Sequence, residues 1–264
     1  NDIITAAGSA EAEDDVIDGG TDTDTINVTA DTVFTATDSN ITNVEAITLG
    51  AAIDVTLTGQ TEAFTITGGS GTNTIVGGGG VDTIIGLAGV DTITGGGGND
   101  IITGGADNDI ITTGTGADTV HIGASTDGVD TINDFTAGSG GDIIGAAGFE
   151  GRTTNDTLWQ SVALNATIDS TDDGIVVLNA DVGSAASNMT VTHLNTALTG
   201  TISGGTDGEF TIFVLSTDVS ASTVDAFLML AEHDGTDYDG ITHLGTLKNI
   251  SVSALTADNF DGYA

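Results

Sequence analysis

Between Gly68 and His121 the sequence repeats every nine residues: GGSGTNTIV, GGGGVDTII, GLAGVDTIT, GGGGNDIIT, GGADNDIIT, TGTGADTVH. Glycine holds positions one, two and four of most units, and Asp (Asn73 once) holds the sixth. The eighth is a β-branched aliphatic throughout: Ile75, Ile84, Ile93, Ile102, Ile111 and Val120. A flexible glycine-rich linker has no use for an aliphatic at one fixed phase, so the repeat specifies structure. The end of each unit reads as a short strand whose position-eight side chain points inward. The glycines that follow supply the positive-φ conformations of a tight turn without a Cβ penalty. The pattern is that of a β-solenoid built from half-coils.

Units two apart stack on the same side of such a solenoid. Asp82, Asp100 and Asp118 then form one column, and Asn73, Asp91 and Asp109 the other. Two carboxylates about 5 Å apart repel by roughly 1 kcal/mol in water and by more in a lower dielectric. A column at strand spacing therefore calls for a cation between its members. Carboxylates together with the backbone oxygens of flexible turns are the donor set of calcium. The predicted ligand positions are the sixth-position residues above and the turn residues Gly68, Gly71, Gly77, Gly80, Gly86, Gly89, Gly95, Gly98, Gly104, Asp107 and Gly116. Several ions are expected.

The charge balance agrees. Lys248 and Arg152 are the only basic side chains against 39 acidic ones, a formal net charge of −37. This excludes the phosphate contacts of nucleic-acid binding and the polybasic attraction to anionic lipid. Self-repulsion on that scale opposes a compact state unless counter-ions bind specifically. There is no cysteine, so no disulfide braces the fold. No apolar run approaches the ~20 residues of a membrane span. The sequence opens on neither an initiator Met nor a signal-peptide pattern, so a processed product or a fragment is expected.

Residues 1–5, Asn-Asp-Ile-Ile-Thr, are identical to Asn99–Thr103, so the chain opens mid-unit. Two degenerate units follow, AEAEDDVID at 10–18 and GGTDTDTIN at 19–27, with Ile17 and Ile26 at the eighth position. Asp15, Asp22 and Asp24 are candidate ligands of a first calcium segment. Residues 28–67 lose most glycines but keep short Val/Ile/Thr strands, and read as calcium-free coils. There the nine-residue phase resumes at Gly50 and puts Leu57 and Ile66 at eighth positions. Positions seven and nine, mostly Thr with Val76, Ile85, Ile101 and Ile110, should face solvent. From residue 149 onward the glycines thin out. Strands are expected at Leu158–Leu164, Ile175–Leu178, Phe210–Leu215, Ala226–Ala231 and Ile241–Leu247, with one helix near 184–198. Asp234, Asp237 and Asp239 suit either one more calcium or a solvated loop.

The nonapeptides resemble those of the RTX (repeats-in-toxin) family, whose calcium-binding β-roll is right-handed and parallel. Asp130-Thr-Ile-Asn-Asp134-Phe135 followed by Gly141-Asp142-Ile143 resembles the turn that closes such rolls, and the resemblance implies that Asp130, Asp134 and Asp142 hold a terminal ion. The segment 226–260 resembles the C-terminal region of type I-secreted RTX proteins, through Leu244-Gly-Thr-Leu-Lys-Asn-Ile250 and Leu255-Thr-Ala-Asp-Asn-Phe260. The family then implies two domains. Residues 1–148 form an all-β solenoid with its calcium roll at 68–121, and 149–264 form a β-rich capping domain with an uncleaved secretion signal. It further implies export and folding outside the cell on meeting calcium.

No His-Glu-x-x-His zinc helix, Gly-x-Ser-x-Gly elbow or thiol nucleophile occurs, and the four histidines are scattered. The expected protein is therefore not an enzyme. Three readings stand. The first is a structural surface subunit of a Gram-negative bacterium, an S-layer or filament that self-associates through calcium. RTX-type S-layer proteins are similar in composition and in the Asn-Val-Glu-x-Ile segment at Asn43–Ile47. The second is the calcium and secretion module of a longer adhesin or enzyme. The third is a soluble module that meets a cell-surface glycan through bound calcium.

Overall fold

The computed structural model describes residues 1–6, 16–29, 33–36, 41–122, 128–145, 158–162, 174–181, 209–216, 224–233, 238–255 and 259–261. Asp15, the 184–198 segment, Asp234 and Asp237 lie outside them. So does the side chain of Asp239.

Short strands carrying one inward aliphatic between two outward residues cannot bury that aliphatic alone; they do so by stacking. One sheet runs through β1 (Ile3–Ala6), β3 (Thr25–Val28), β6 (Ala46–Leu49), β8 (Thr65–Thr67), β10 (Thr83–Ala88), β12 (Ile101–Ala106), β14 (Thr119–His121) and β16 (Ile143–Gly145). The opposite sheet runs through β4 (Val33–Thr35), β7 (Asp54–Thr56), β9 (Thr74–Val76), β11 (Thr92–Gly97), β13 (Ile110–Thr115) and β15 (Asp130–Asn133). Neighbours in both sheets are parallel, and the chain crosses from one sheet to the other at every half-coil. The result is a parallel β-solenoid of about six turns.

Register follows the aliphatics. Ile66, Ile84, Ile102 and Val120 align in the first sheet, and Ile75, Ile93 and Ile111 in the second; each is fully buried. Ile26 and Ile47 continue the first column toward the N-terminus. Two expectations shift in the less regular coils. Val55, not Leu57, is the register partner of Ile75, because the coil there is two residues longer than the repeat. Leu57 is buried all the same, one inward step further on. Ile17 joins neither main sheet: β2 (Ile17–Asp18) pairs with β5 (Ile41–Thr42) in a separate two-stranded sheet. Along the repeat, position seven is the outward one, with Ile101 and Ile110 41% and 44% exposed. Position nine is half-buried.

The expected C-terminal strands are present as β17 (Leu158–Val162), β18 (Gly174–Asp181), β19 (Glu209–Ser216), β20 (Val224–His233) and β21 (Tyr238–Ile250). They extend the second sheet: β21 lies parallel to β15 and sets Leu247 beside Ile132. A last strand, β22 (Phe260–Asp261), lies parallel to β16 and sets Phe260 beside Ile144. The two closing motifs thus add one residue each to the two core columns, and both Leu247 and Phe260 are buried.

Candidate metal centre

A strand's hydrogen-bond ladder stops where the turn begins, and an Asp at the sixth position extends it by one rung. Its Oδ1 accepts the backbone N–H of the equivalent residue one coil earlier. Asp82 N–H donates to Asp100 Oδ1 at 2.8 Å, Asp100 to Asp118 at 2.8 Å, and Asp118 to Asp142 at 3.0 Å. On the other edge Asn73 donates to Asp91 at 2.7 Å, Asp91 to Asp109 at 2.8 Å, and Asp109 to Asp130 at 3.0 Å. These are the two expected columns, each one member longer at its C-terminal end.

The second oxygen of these carboxylates is what makes the columns chemical. Oδ2 of Asp91, Asp100, Asp109 and Asp118, and also of Asp24, is buried and accepts no hydrogen bond. Leaving a charged oxygen buried and unpaired costs several kcal/mol, on the order of 2–7 even for a neutral polar group. Burial accordingly pushes the pKa of Asp91, Asp100 and Asp118 up to about 6, against the N–H each accepts and with help from neighbouring carboxylates. Asp109 reaches about 7: burial is the main cause, opposed by the Asp91 N–H and reinforced by Asp130, Asp91 and Asp107.

The glycines at position one keep room beside those oxygens. A Cβ on Gly95 would stand 2.5 Å from Asp100 Oδ2 and 2.4 Å from the carbonyl oxygen of Thr113 in the next coil. On Gly86 the distances are 2.5 Å to Asp91 Oδ2 and 2.4 Å to the Gly104 oxygen. Gly68, Gly77 and Gly104 hold the same place, so glycine at position one answers to close approach and not to φ. Positive φ belongs to positions two and four, in the turns from Gly86 onward: Leu87, Gly96, Gly105 and Gly114, then Gly89, Gly98, Asp107 and Gly116. At Gly71 and Gly80 the fourth position is not left-handed.

A carboxylate oxygen and a backbone carbonyl, side by side in a turn, fit calcium, which takes both in irregular geometry. Among the described residues no three acidic or histidine side chains converge on one point. The donors here come one carboxylate per coil on each edge, the remainder being main chain. Asp91, Asp100, Asp109 and Asp118 would hold the ions, which supply the positive charge that the buried oxygens lack.

The remaining predicted ligands are placed as follows. Asp22 is exposed, with φ +84°, while Asp24 is fully buried. The closing trio separates. Asp130 ends one column, whereas Asp134 and Asp142 end the other and meet at Thr113, whose Oγ1 lies 3.1 Å from Asp134 Oδ1 and 3.2 Å from Asp142 Oδ2. Asp134 also accepts the N–H groups of Thr113 and Gly114. Three contributors escaped the sequence reading. Glu45 accepts the Asp24 N–H at 2.7 Å, and its place two residues before the buried Ile47 is the signal that marks it. Thr113 stands where the repeat has glycine. Asn259 clasps the last turn, accepting from Gly138 N–H and donating to the oxygens of Gly138 and Asp142.

A family model described as the RTX calcium-binding nonapeptide repeat matches residues 9–33, 65–93 and 85–120. The chain carries RTX repeats. Comparison with curated proteins finds no significant match. The RTX match covers the turns with orphaned carboxylate oxygens, including the early one at Asp24. It ends before the Asp130–Asp142 closure.

Proposed function

We propose that this chain is a secreted structural protein whose folding outside the cell is completed by calcium, and that it serves as a self-associating surface subunit, an S-layer or extracellular filament. The observation that carries the calcium part is the set of buried Oδ2 atoms without a partner at Asp91, Asp100, Asp109 and Asp118. At low calcium these groups oppose the closed roll. Where calcium is roughly 100-fold above its dissociation constant, each site contributes about 2.7 kcal/mol. A handful of such sites reaches the ~5–15 kcal/mol that a whole domain has in hand. Extracellular calcium modules bind at about 10⁻⁴–10⁻³ M, which matches a switch thrown on leaving the cell.

Two features support the structural part. The roll's interior is an unbroken file of aliphatics, with its polar groups confined to the turn edges. Its faces are flat ladders of Thr with half-exposed Ile101 and Ile110, suited to lateral contact between copies. Circular dichroism with calcium and with chelator tests the switch, and a strand signal already complete in chelator rejects it. Electron micrographs under the same two conditions test assembly: calcium-dependent sheets or filaments are expected. A native chain far heavier than 26.1 kDa with a catalytic domain upstream would instead make this the calcium module of a larger secreted protein.

A further inference from the structure

The seven turns that match the repeat, six led by glycine and one by Thr113, are of two kinds, and the difference lies in the position-two amide. In turn 68–73 the Gly69 N–H donates to Asn73 Oδ1 at 2.9 Å, and Asn73 Nδ2 donates to the Ile53 oxygen at 2.6 Å. In turn 77–82 the Gly78 N–H donates to Asp82 Oδ2 at 3.0 Å, while Asp82 Oδ1 holds the Phe64 N–H. Both sixth-position side chains are satisfied by the protein alone, and neither turn has a left-handed residue at position two or four. In the turns that begin at residues 86, 95, 104 and 113, positions two and four are left-handed and the Oδ2 of Asp91, Asp100, Asp109 and Asp118 accepts nothing.

One turn far from these belongs to the second kind. Gly19-Gly-Thr-Asp-Thr-Asp24 has the plan of Gly104-Gly-Ala-Asp-Asn-Asp109. Gly20 and Asp22 have φ of +93° and +84°, as Gly105 and Asp107 have +112° and +81°. The Gly20 N–H donates to Asp18, not to Asp24, and Asp24 Oδ2 is buried without a partner. A Cβ on Gly19 would stand 2.9 Å from that oxygen and 2.0 Å from the Asn43 carbonyl of the stacked coil.

We infer that turns 68–73 and 77–82, although they match the calcium repeat, close without an ion, whereas turn 19–24, with Asn43 and Glu45 beside it, keeps the ion-holding form. The chain then has two calcium-responsive segments divided by ion-free coils. This rests on the calcium reading above and adds which turns take part.

The test is calcium stoichiometry by flow dialysis on the full chain, with circular dichroism to confirm that each variant stays folded. Asp24→Asn is expected to lower the number of bound ions by one and to leave the remaining titration curve unchanged. Asp82→Asn, which mimics the natural Asn73, is expected to leave stoichiometry unchanged, and Asp100→Asn to lower it. Equal losses in Asp82→Asn and Asp100→Asn, or no loss in Asp24→Asn, overturn the assignment by turn type while the calcium reading survives. An unsubstituted chain that takes up no calcium overturns both. Should Asp24→Asn not fold, Asp22→Asn supplies the second reading: a weakened site at unchanged affinity elsewhere supports the inference, and an unaltered titration counts against it.

Discussion

The coils 46–64 and 84–101 stack in the same two sheets and are nearly equal in length, yet they are held by different means. The first buries Ile47, Leu49, Ile53, Val55, Leu57 and Phe64, whereas the second buries only Ile84 and Ile93. Four large side chains fewer represent roughly 6–12 kcal/mol of burial per coil, at about 1.5–3 kcal/mol each. In their place the second coil has glycine, which adds entropy to the unfolded chain, and buried carboxylates. A solenoid can therefore be closed by its core or by its turns. In coil 84–101 a bare core coincides with turns whose carboxylates, Asp91 and Asp100, need a counter-charge.

The largest expected effect follows from taking that counter-charge away. In chelator, amide hydrogen exchange read by mass spectrometry should lose protection across 84–120 well before 47–66. Uniform loss over both regions would show that the roll melts as one unit and that the contrast in core has no local consequence.

Next comes the reverse experiment. Phe64→Ala removes a nearly fully buried ring from the core-held coil, and should cost about 3–5 kcal/mol as measured by denaturant unfolding in calcium. The number of bound ions should be unchanged. A drop in calcium uptake would mean that the two regions fold as one cooperative block.

Much of this arrangement was legible. Period nine placed Ile75 to Val120 in the core and the Asp columns on the edges, because a half-coil of constant length makes arithmetic do the work of geometry. It failed at Val55, since both Val55 and Leu57 are apolar with the same inward parity and only the two-residue insertion chooses between them. Satisfaction of Asn73 and Asp82 by their own turn could not be foreseen, because Gly69 and Gly78 look in sequence like Gly96 and Gly105. The neighbour below turn 68–73 is the irregular Gly50–Ile53 turn, and above turn 86–91 it is a like turn that continues the ladder through Leu87 and Gly105. The pairing of Leu247 with Ile132 and of Phe260 with Ile144 was equally out of reach, spanning more than a hundred residues with no shared period.

A smaller effect separates the glycines. Gly95→Ala should cost about 1–3 kcal/mol through crowding and also one ion, since its Cβ would meet both Asp100 and the Thr113 oxygen. Gly79→Ala has its nearest neighbour at 3.5 Å and should be nearly silent in both readouts. Equal sensitivity would detach the carboxylate site from the position-one glycine.

The smallest effect is a proton standing in for the ion. Without calcium, Asp91, Asp100 and Asp118 titrate near 6 and Asp109 near 7 in the folded roll, above the ordinary carboxylate value. The folded state thus holds these protons more tightly than the unfolded one. The stability they confer is fully present below about pH 4 and is lost as pH rises through about 6 to 7. In chelator, the strand signal of the repeat coils should therefore grow as pH falls from about 8 to about 5, and Asp109→Asn should flatten the upper part of that rise. Calcium uptake should run the opposite way and weaken over the same interval, because the ligands must be deprotonated to bind. If acid instead unfolded the repeat coils in chelator, their buried carboxylates would have to be stabilised as anions by donors in the turns, and the contrast between core-held and charge-held coils would lose its physical basis.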